Sequence, residues 1–363
     1  MMLVDGTLPA GREGYRPMLR PWRFRGSPAG AALCALGLVL AAAADAQSAP
    51  APAPAEAAKA PQAGDPARRG RLEALVASVG AYVERFQTEM EAAVFDESYV
   101  QLLRQPCCRE SRNPGEDPAL AWEATPARVR PKGLLARRQL KSEVLLVRVA
   151  GGLRVGYRDV YEVDGRSIQD RNERVRQLFL AGSAESALAL GRIAAESARF
   201  NLGQMQRTTN LPTLPLLYLV PAMLPRLYFS RGGEAELDGA KTTILEFRED
   251  ASPTLAASAH GIDMPARGRA WVEPESGRIR RIELRYSAGA RRVMNVWFGE
   301  DPRLGVLAPT RMWEWYEKIP LGSELPVTAG QRAWPADLEG LATYTNLRLF
   351  SVDTSEEIGE PAD

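Results

Sequence analysis

Beyond about residue 241 apolar and charged residues alternate run after run, and that pattern most constrains what the chain can fold into. In 278–286, Ile282, Leu284 and Tyr286 alternate with Arg281, Glu283 and Arg285. A period of two places one set on each face of a strand, so this is half-buried antiparallel sheet. Pro274, Glu275, Ser276 and Gly277 supply the turn from a preceding strand at 269–273. Runs at 293–298, 311–317 and 342–350 extend the series.

Upstream the signals are mixed. Residues 144–149 are apolar except for Arg148, and 153–163 alternate up to Asp164-Gly165. Asp-Gly between extended segments marks a hairpin, because a type I′ turn needs positive φ at both central residues. Before these strands, Leu72, Leu75, Val76, Val79, Val83, Phe86, Met90 and Val94 recur at three- and four-residue steps. That stripe predicts an amphipathic helix over 67–94. Two further helices are expected at 170–180 and 184–200, the second with Ser183 as N-cap and Gly203 just past its end. The expected class is therefore α+β: an antiparallel sheet of about eight or more strands covered by about three helices.

The first 46 residues read as an export signal. Arg20, Arg23 and Arg25 precede an apolar run over 29–44, and Ala44-Asp45-Ala46 gives a small-x-small cleavage site. Spanning a bilayer takes about 20 apolar residues, and this run is shorter, so cleavage before Gln47 is expected rather than anchoring. Met18 opens a segment of ordinary signal length and is the expected start. Residues 47–66 are mostly Ala and Pro, a linker that cannot bury enough apolar surface to order itself. The single domain then runs over 67–353, and an acidic tail over 354–363 completes the chain. The expected address is the periplasm or the exterior.

Charge and chemistry narrow the function further. The chain has 46 basic and 45 acidic residues; the first 46 residues hold five of the former and three of the latter, so the mature part has 41 and 42. That balance, without basic runs, argues against nucleic acid as a partner. The mature chain has one histidine, His260, and no Gly-x-Ser-x-Gly elbow to present a serine. No set of Cys, His and carboxylate ligands has zinc-site spacing, and no Gly-rich phosphate loop is present. No catalytic residue, metal or cofactor is expected. Cys107 and Cys108 are adjacent in a Pro-rich loop over 105–133. They could form a strained vicinal disulfide that stiffens the loop, act as a redox pair, or pair with another chain; the structural reading is preferred.

The order of elements resembles the lipoprotein-carrier superfamily that includes LolA, the mycobacterial lipid carriers and RseB-type sensors. The helix over 67–94 and the hairpin from Gly268 through Gly277 to Tyr286 carry the resemblance, with the strands through Phe298 and beyond Pro309 completing it. The resemblance implies a curved sheet forming an unclosed half-barrel, with helices over its concave face and an apolar cleft between them. Leu214, Leu216, Leu217, Tyr218 and Leu219 are the expected cap of that cleft, together with Val220, Met223 and Leu224. Trp271 and Trp297 are expected to line it. A non-enzymatic protein binding a lipid or the acyl chain of a lipoprotein is the leading expectation. The alternative is an envelope sensor or scaffold that binds other proteins and no small ligand. A hydrolase built around His260 ranks last.

Overall fold

A computed structural model describes residues 66–91, 93–105, 133–148, 154–171, 187–203, 207, 210–257, 262–286, 291–319 and 336–349. The expected signal peptide, linker and acidic tail fall outside these residues. So do His260, Cys107, Cys108 and nearly all of the helix expected over 170–180.

Among the described residues, eleven strands form one antiparallel sheet. In chain order they are β1 (Ala93–Arg104), β2 (Leu134–Arg148), β3 (Arg154–Val163), β4 (Arg166–Ser167), β5 (Leu227–Leu237), β6 (Ala240–Glu249), β7 (Ala266–Val272), β8 (Ile279–Tyr286), β9 (Arg292–Glu300), β10 (Leu307–Ile319) and β11 (Ala336–Leu349). Their spatial order is β4-β3-β2-β1-β11-β10-β9-β8-β7-β6-β5, so β4 and β5 stand at opposite ends and the sheet does not close. Helix α1 (Pro66–Glu89) precedes the sheet, and α2 (Ala187–Ala198) lies between β4 and β5. Two short 3-10 helices, Leu214–Leu219 and Leu224–Arg226, lead into β5.

The sheet holds more strands than the runs named from the pattern, and β1 and β5 are not among those runs. Helix α1 stops at Glu89, and Val94, taken into the helix on its spacing, pairs instead with Leu145 and Arg348 in the sheet. The alternation of β1 is hidden because its inward positions run Phe95, Glu97, Tyr99, Gln101, with carboxylate and amide where apolar residues would announce a strand. Strand β5 is an edge strand whose Gly232, Gly233, Glu234 and Glu236 obscure any apolar period. The expected hairpin at Asp164-Gly165 is present, with φ of 50° and 79°. The same dipeptide at Asp238-Gly239 turns β5 into β6 with φ of 49° and 77°.

One face of the sheet is covered. Side chains of α1 (Val79, Val83, Phe86) share a buried cluster with Phe95, Val144, Leu245, Ile282, Val296 and Met312, which come from strands right across the sheet. Phe86 meets Phe298 edge-on at 6.0 Å. Eleven strands laid flat would measure about 45–50 Å across. A sheet that wide reaches one helix and its neighbours only by twisting around them.

Candidate functional site

The covered face is built from two unlike parts, an apolar cap and a buried polar band. The cap is the segment between Leu211 and Arg226. Pro215, Pro221 and Pro225 keep it from becoming a regular helix and leave only short 3-10 turns. Pro215, Leu216, Leu217, Tyr218 and Leu219 are all buried. Val220 is buried too, while Leu214, Met223 and Leu224 are partly buried against the same cluster. The structure thus brings all eight cap residues together over the helix-covered face.

The fit of the cap depends on two glycines. Leu224 fills the space over Gly80 of α1, where an added Cβ would stand 2.8 Å from Leu224 Cδ1. In β7, Gly268 faces Phe247 across the ladder, and a Cβ there would fall 2.0 Å from the Phe247 ring. Phe247 therefore lies flat over Gly268 and presents its ring to Tyr218 of the cap, stacked at 6.3 Å and 28°. The Tyr218 hydroxyl reaches the Tyr286 hydroxyl at 3.4 Å. Burial pushes Tyr286 up to about 12, so both phenols stay neutral.

Backbone bonding of the cap is local. Outside the 3-10 turns themselves, Leu214 N–H donates to Leu211 C=O at 3.1 Å, Leu216 to Thr213 at 3.2 Å and Met223 to Val220 at 2.9 Å. Among the described residues 211–223, no backbone hydrogen bond reaches the sheet or α1. Burial of apolar side chains, with the Tyr218–Tyr286 contact, holds this segment in place.

The polar band crosses the same face. Gln101 of β1, Gly340 of β11 and Glu314 of β10 stand in one row, with the large apolar cluster on one side and a smaller cluster of Leu103, Leu202, Tyr316 and Leu338 on the other. Above it sits the stem of the cap. Arg158 of β3, 0% exposed, donates from Nε to Glu97 Oε2 at 2.5 Å and from Nη2 to Glu97 Oε1 at 2.8 Å. Its Nη2 also bonds the Asn210 carbonyl at 2.7 Å, and its Nη1 the Asn210 side chain at 3.1 Å. Ser142 donates to Glu97 at 2.6 Å. Arg207 donates to the Leu202 carbonyl at 2.7 Å and to Gln101, and stands 3.6 Å from Glu314. Tyr99 and Tyr316 both donate to Glu314.

Electrostatics keep Arg158 charged and Tyr99 neutral. Burial alone would lower the Arg158 pKa, but the Glu97 carboxylate outweighs it and raises the pKa, so the guanidinium stays charged. Burial, with Glu314 adding to it, pushes the Tyr99 phenol up and keeps it neutral. Two arginines face two glutamates with no charge left over. Such a set can fix the stem of the cap to the sheet. Nothing in the sequence pattern flagged Glu97, Arg158, Arg207 or Glu314. The usable signal was indirect: charged residues at the inward positions of strands.

Trp271 and Trp297 do not join the cap. Trp271 lies between Ala270 and Val272, which both enter the helix-covered cluster, so it points the other way. Trp297 lies between Val296 and Phe298 and is likewise on the opposite face. The expectation that these two line the cleft is corrected: they belong to an outer surface where each contacts the Arg281 guanidinium, at 4.4 and 4.9 Å. Among the described residues no group of three His, Cys, Asp or Glu side chains could hold a metal ion.

No protein-family model matches the sequence, and no curated protein matches it. Among solved structures the chain is similar to a LolA superfamily protein from Nitrosomonas europaea, with 11% identity and a TM-score of 0.31 over 78% of this chain and 94% of the other. It is also similar to a DUF1329 family protein from Desulfovibrio piger, with 12% identity and a TM-score of 0.32 over 80% and 95%. A third is a domain named for outer membrane lipoprotein sorting, from Vibrio parahaemolyticus, with 9% identity and a TM-score of 0.31 over 77% and 94%. Superpositions at these TM-scores carry no argument about ligand or activity. The sheet itself meets the architectural expectation: it is antiparallel, unclosed and covered on one face by helices.

Proposed function

We propose that this protein binds the acyl chain of a lipid or lipoprotein in the cell envelope, between the sheet and its apolar cap. The observation that supports the reading is the way the cap is held. Leu216, Leu217, Tyr218 and Leu219 are buried against the same cluster as the strands, yet among the described residues 211–223 no backbone hydrogen bond reaches them. A segment held mainly by apolar burial can be exchanged for another apolar body of similar area, because no backbone hydrogen bond to the sheet must be broken and only the Tyr218–Tyr286 contact is given up.

Magnitudes make that exchange feasible. Burying four such side chains stabilises the cap by about 2 kcal/mol each, roughly 8 kcal/mol in all. An acyl chain with about a dozen methylenes gains about 10 kcal/mol on burial at ~0.8 kcal/mol per methylene. The two quantities are comparable, so a long chain can displace the cap and a short one cannot. Meanwhile the Arg158–Asn210 contacts keep the stem attached, and the cap moves as a flap rather than unfolding the domain. No helix among the described residues is long and apolar enough to cross a membrane, and the export signal expected at the N-terminus fits a protein of the envelope.

A titration with fluorescent fatty acids of increasing length tests this. The expected result is saturable binding of long chains, negligible binding of chains below about eight carbons, and loss of binding in Leu217→Asp. Absence of saturable binding at any length would turn attention to the sensor or scaffold alternative, in which the cap is permanent core.

A further inference from the structure

We infer that the outer face of strands β6–β10 is a docking surface for an anionic phospholipid membrane. The face is a grid of three rows in register. One row runs Arg248, Arg267, Arg285, Val293, Trp315 and the next Glu246, Arg269, Glu283, Asn295, Trp313. The third runs Ile244, Trp271, Arg281, Trp297, Arg311. These positions hold six arginines and two glutamates, a local charge of +4 in a chain whose formal net charge is only +1.

Two features of the grid bear on a partner, although Trp271, Glu283, Val293 and Asn295 within it are buried and Arg281 already donates to Asn295 Oδ1 at 2.8 Å. The first is that Arg248, Arg267 and Arg285 stand directly beside one another on neighbouring strands. Like charges placed opposite across a ladder destabilise a sheet, and only Arg248 and Arg285 have nearby acids, Asp250 at 3.4 Å and Glu283 at 2.8 Å. Arg267 is exposed and has no ion-pair partner among the described residues. The second is the alternation of the third row, where guanidinium and indole stack in turn: Arg281 over Trp271 at 4.4 Å and over Trp297 at 4.9 Å, and Arg311 over Trp297 at 4.3 Å. Trp313 and Trp315 stack beside it at 6.4 Å.

Charge complementarity selects the partner. Arginine recognises phosphate by paired donors and desolvates readily beside aromatic rings. Indole, apolar in body and polar at its N–H, favours the bilayer headgroup region. A sheet face is broad, and a layer of phosphate headgroups offers charge over its whole area. This surface faces away from the cap, so the inference stands apart from the acyl-binding reading.

Co-sedimentation with vesicles decides the matter. Full-length protein is expected to bind phosphatidylglycerol-containing vesicles and to leave pure phosphatidylcholine vesicles in the supernatant, with binding abolished in about 0.5 M salt. Arg267→Gln should weaken binding roughly fivefold and Arg267→Gln/Arg285→Gln roughly twenty-five-fold, with unchanged melting to show intact folding. Leu217→Asp, which removes acyl uptake, should bind the same vesicles as the unsubstituted protein. Equal binding to both vesicle types, or no effect of the double substitution, would overturn the proposal. Arginine-dependent binding to polyglutamate without binding to vesicles would overturn it in favour of an acidic protein partner.

Discussion

At the scale of single residues, the buried Arg158–Glu97 pair is the most consequential contact. Removing one partner leaves an uncompensated charge in the interior, which costs about 3–5 kcal/mol. Arg158→Met should therefore lower stability by that amount in urea unfolding, whereas Arg158→Met/Glu97→Leu should recover most of it, because well-packed apolar residues replace a buried pair at little net cost. Glu283 behaves differently. Burial penalises its carboxylate, but hydrogen bonds and charge from Arg285 and Arg269 outweigh that and hold its pKa below the ordinary value. A depressed folded pKa contributes stability above the unfolded value, about 4.3, and loses it as pH falls through the folded pKa. Thermal melts from pH 7 down to about 2 should show a larger drop for the unsubstituted protein than for Glu283→Gln. Gly268 carries a steric role: Gly268→Val should destabilise by at least 1–3 kcal/mol by driving Phe247 off the sheet and with it the stacking partner of Tyr218.

At the scale of elements, legibility tracked what each strand buries. Strand β8 announces itself because its inward residues Ile282, Leu284 and Tyr286 are apolar or aromatic and its outward ones Arg281, Glu283 and Arg285 are charged. Strand β1 does not, since half its inward positions serve the polar band. For the same reason the band itself was invisible: a buried ion pair joins residues 61 positions apart, and no local pattern encodes it. The 211–226 segment was legible as an apolar stretch cut by prolines, and its side chains join the buried cluster of the sheet. The resemblance places Trp271 and Trp297 in the cleft it implies, whereas the parity of their strands puts them on the other face. The account predicts that the cap opens independently of the sheet. In hydrogen exchange, amides of 213–224 should exchange much faster than those of β7–β9. A saturating long-chain fatty acid should accelerate the cap further and leave the strands unchanged.

At the scale of the whole molecule, an unclosed sheet with one face around a helix and an apolar segment, and the other face carrying arginine and tryptophan, has two surfaces of different chemistry. One suits an apolar chain, the other a charged interface. Eleven strands in meander-like order explain how both arise from one sheet: each strand sends alternate residues to each surface. The central claim is the acyl chain under the cap. Native mass spectrometry of protein purified without detergent from the periplasm of a bacterial host tests it most directly. The account predicts a population carrying an added mass that organic solvent releases as fatty acid or phospholipid. A clean apo mass, unchanged after incubation with lipid vesicles, would contradict it.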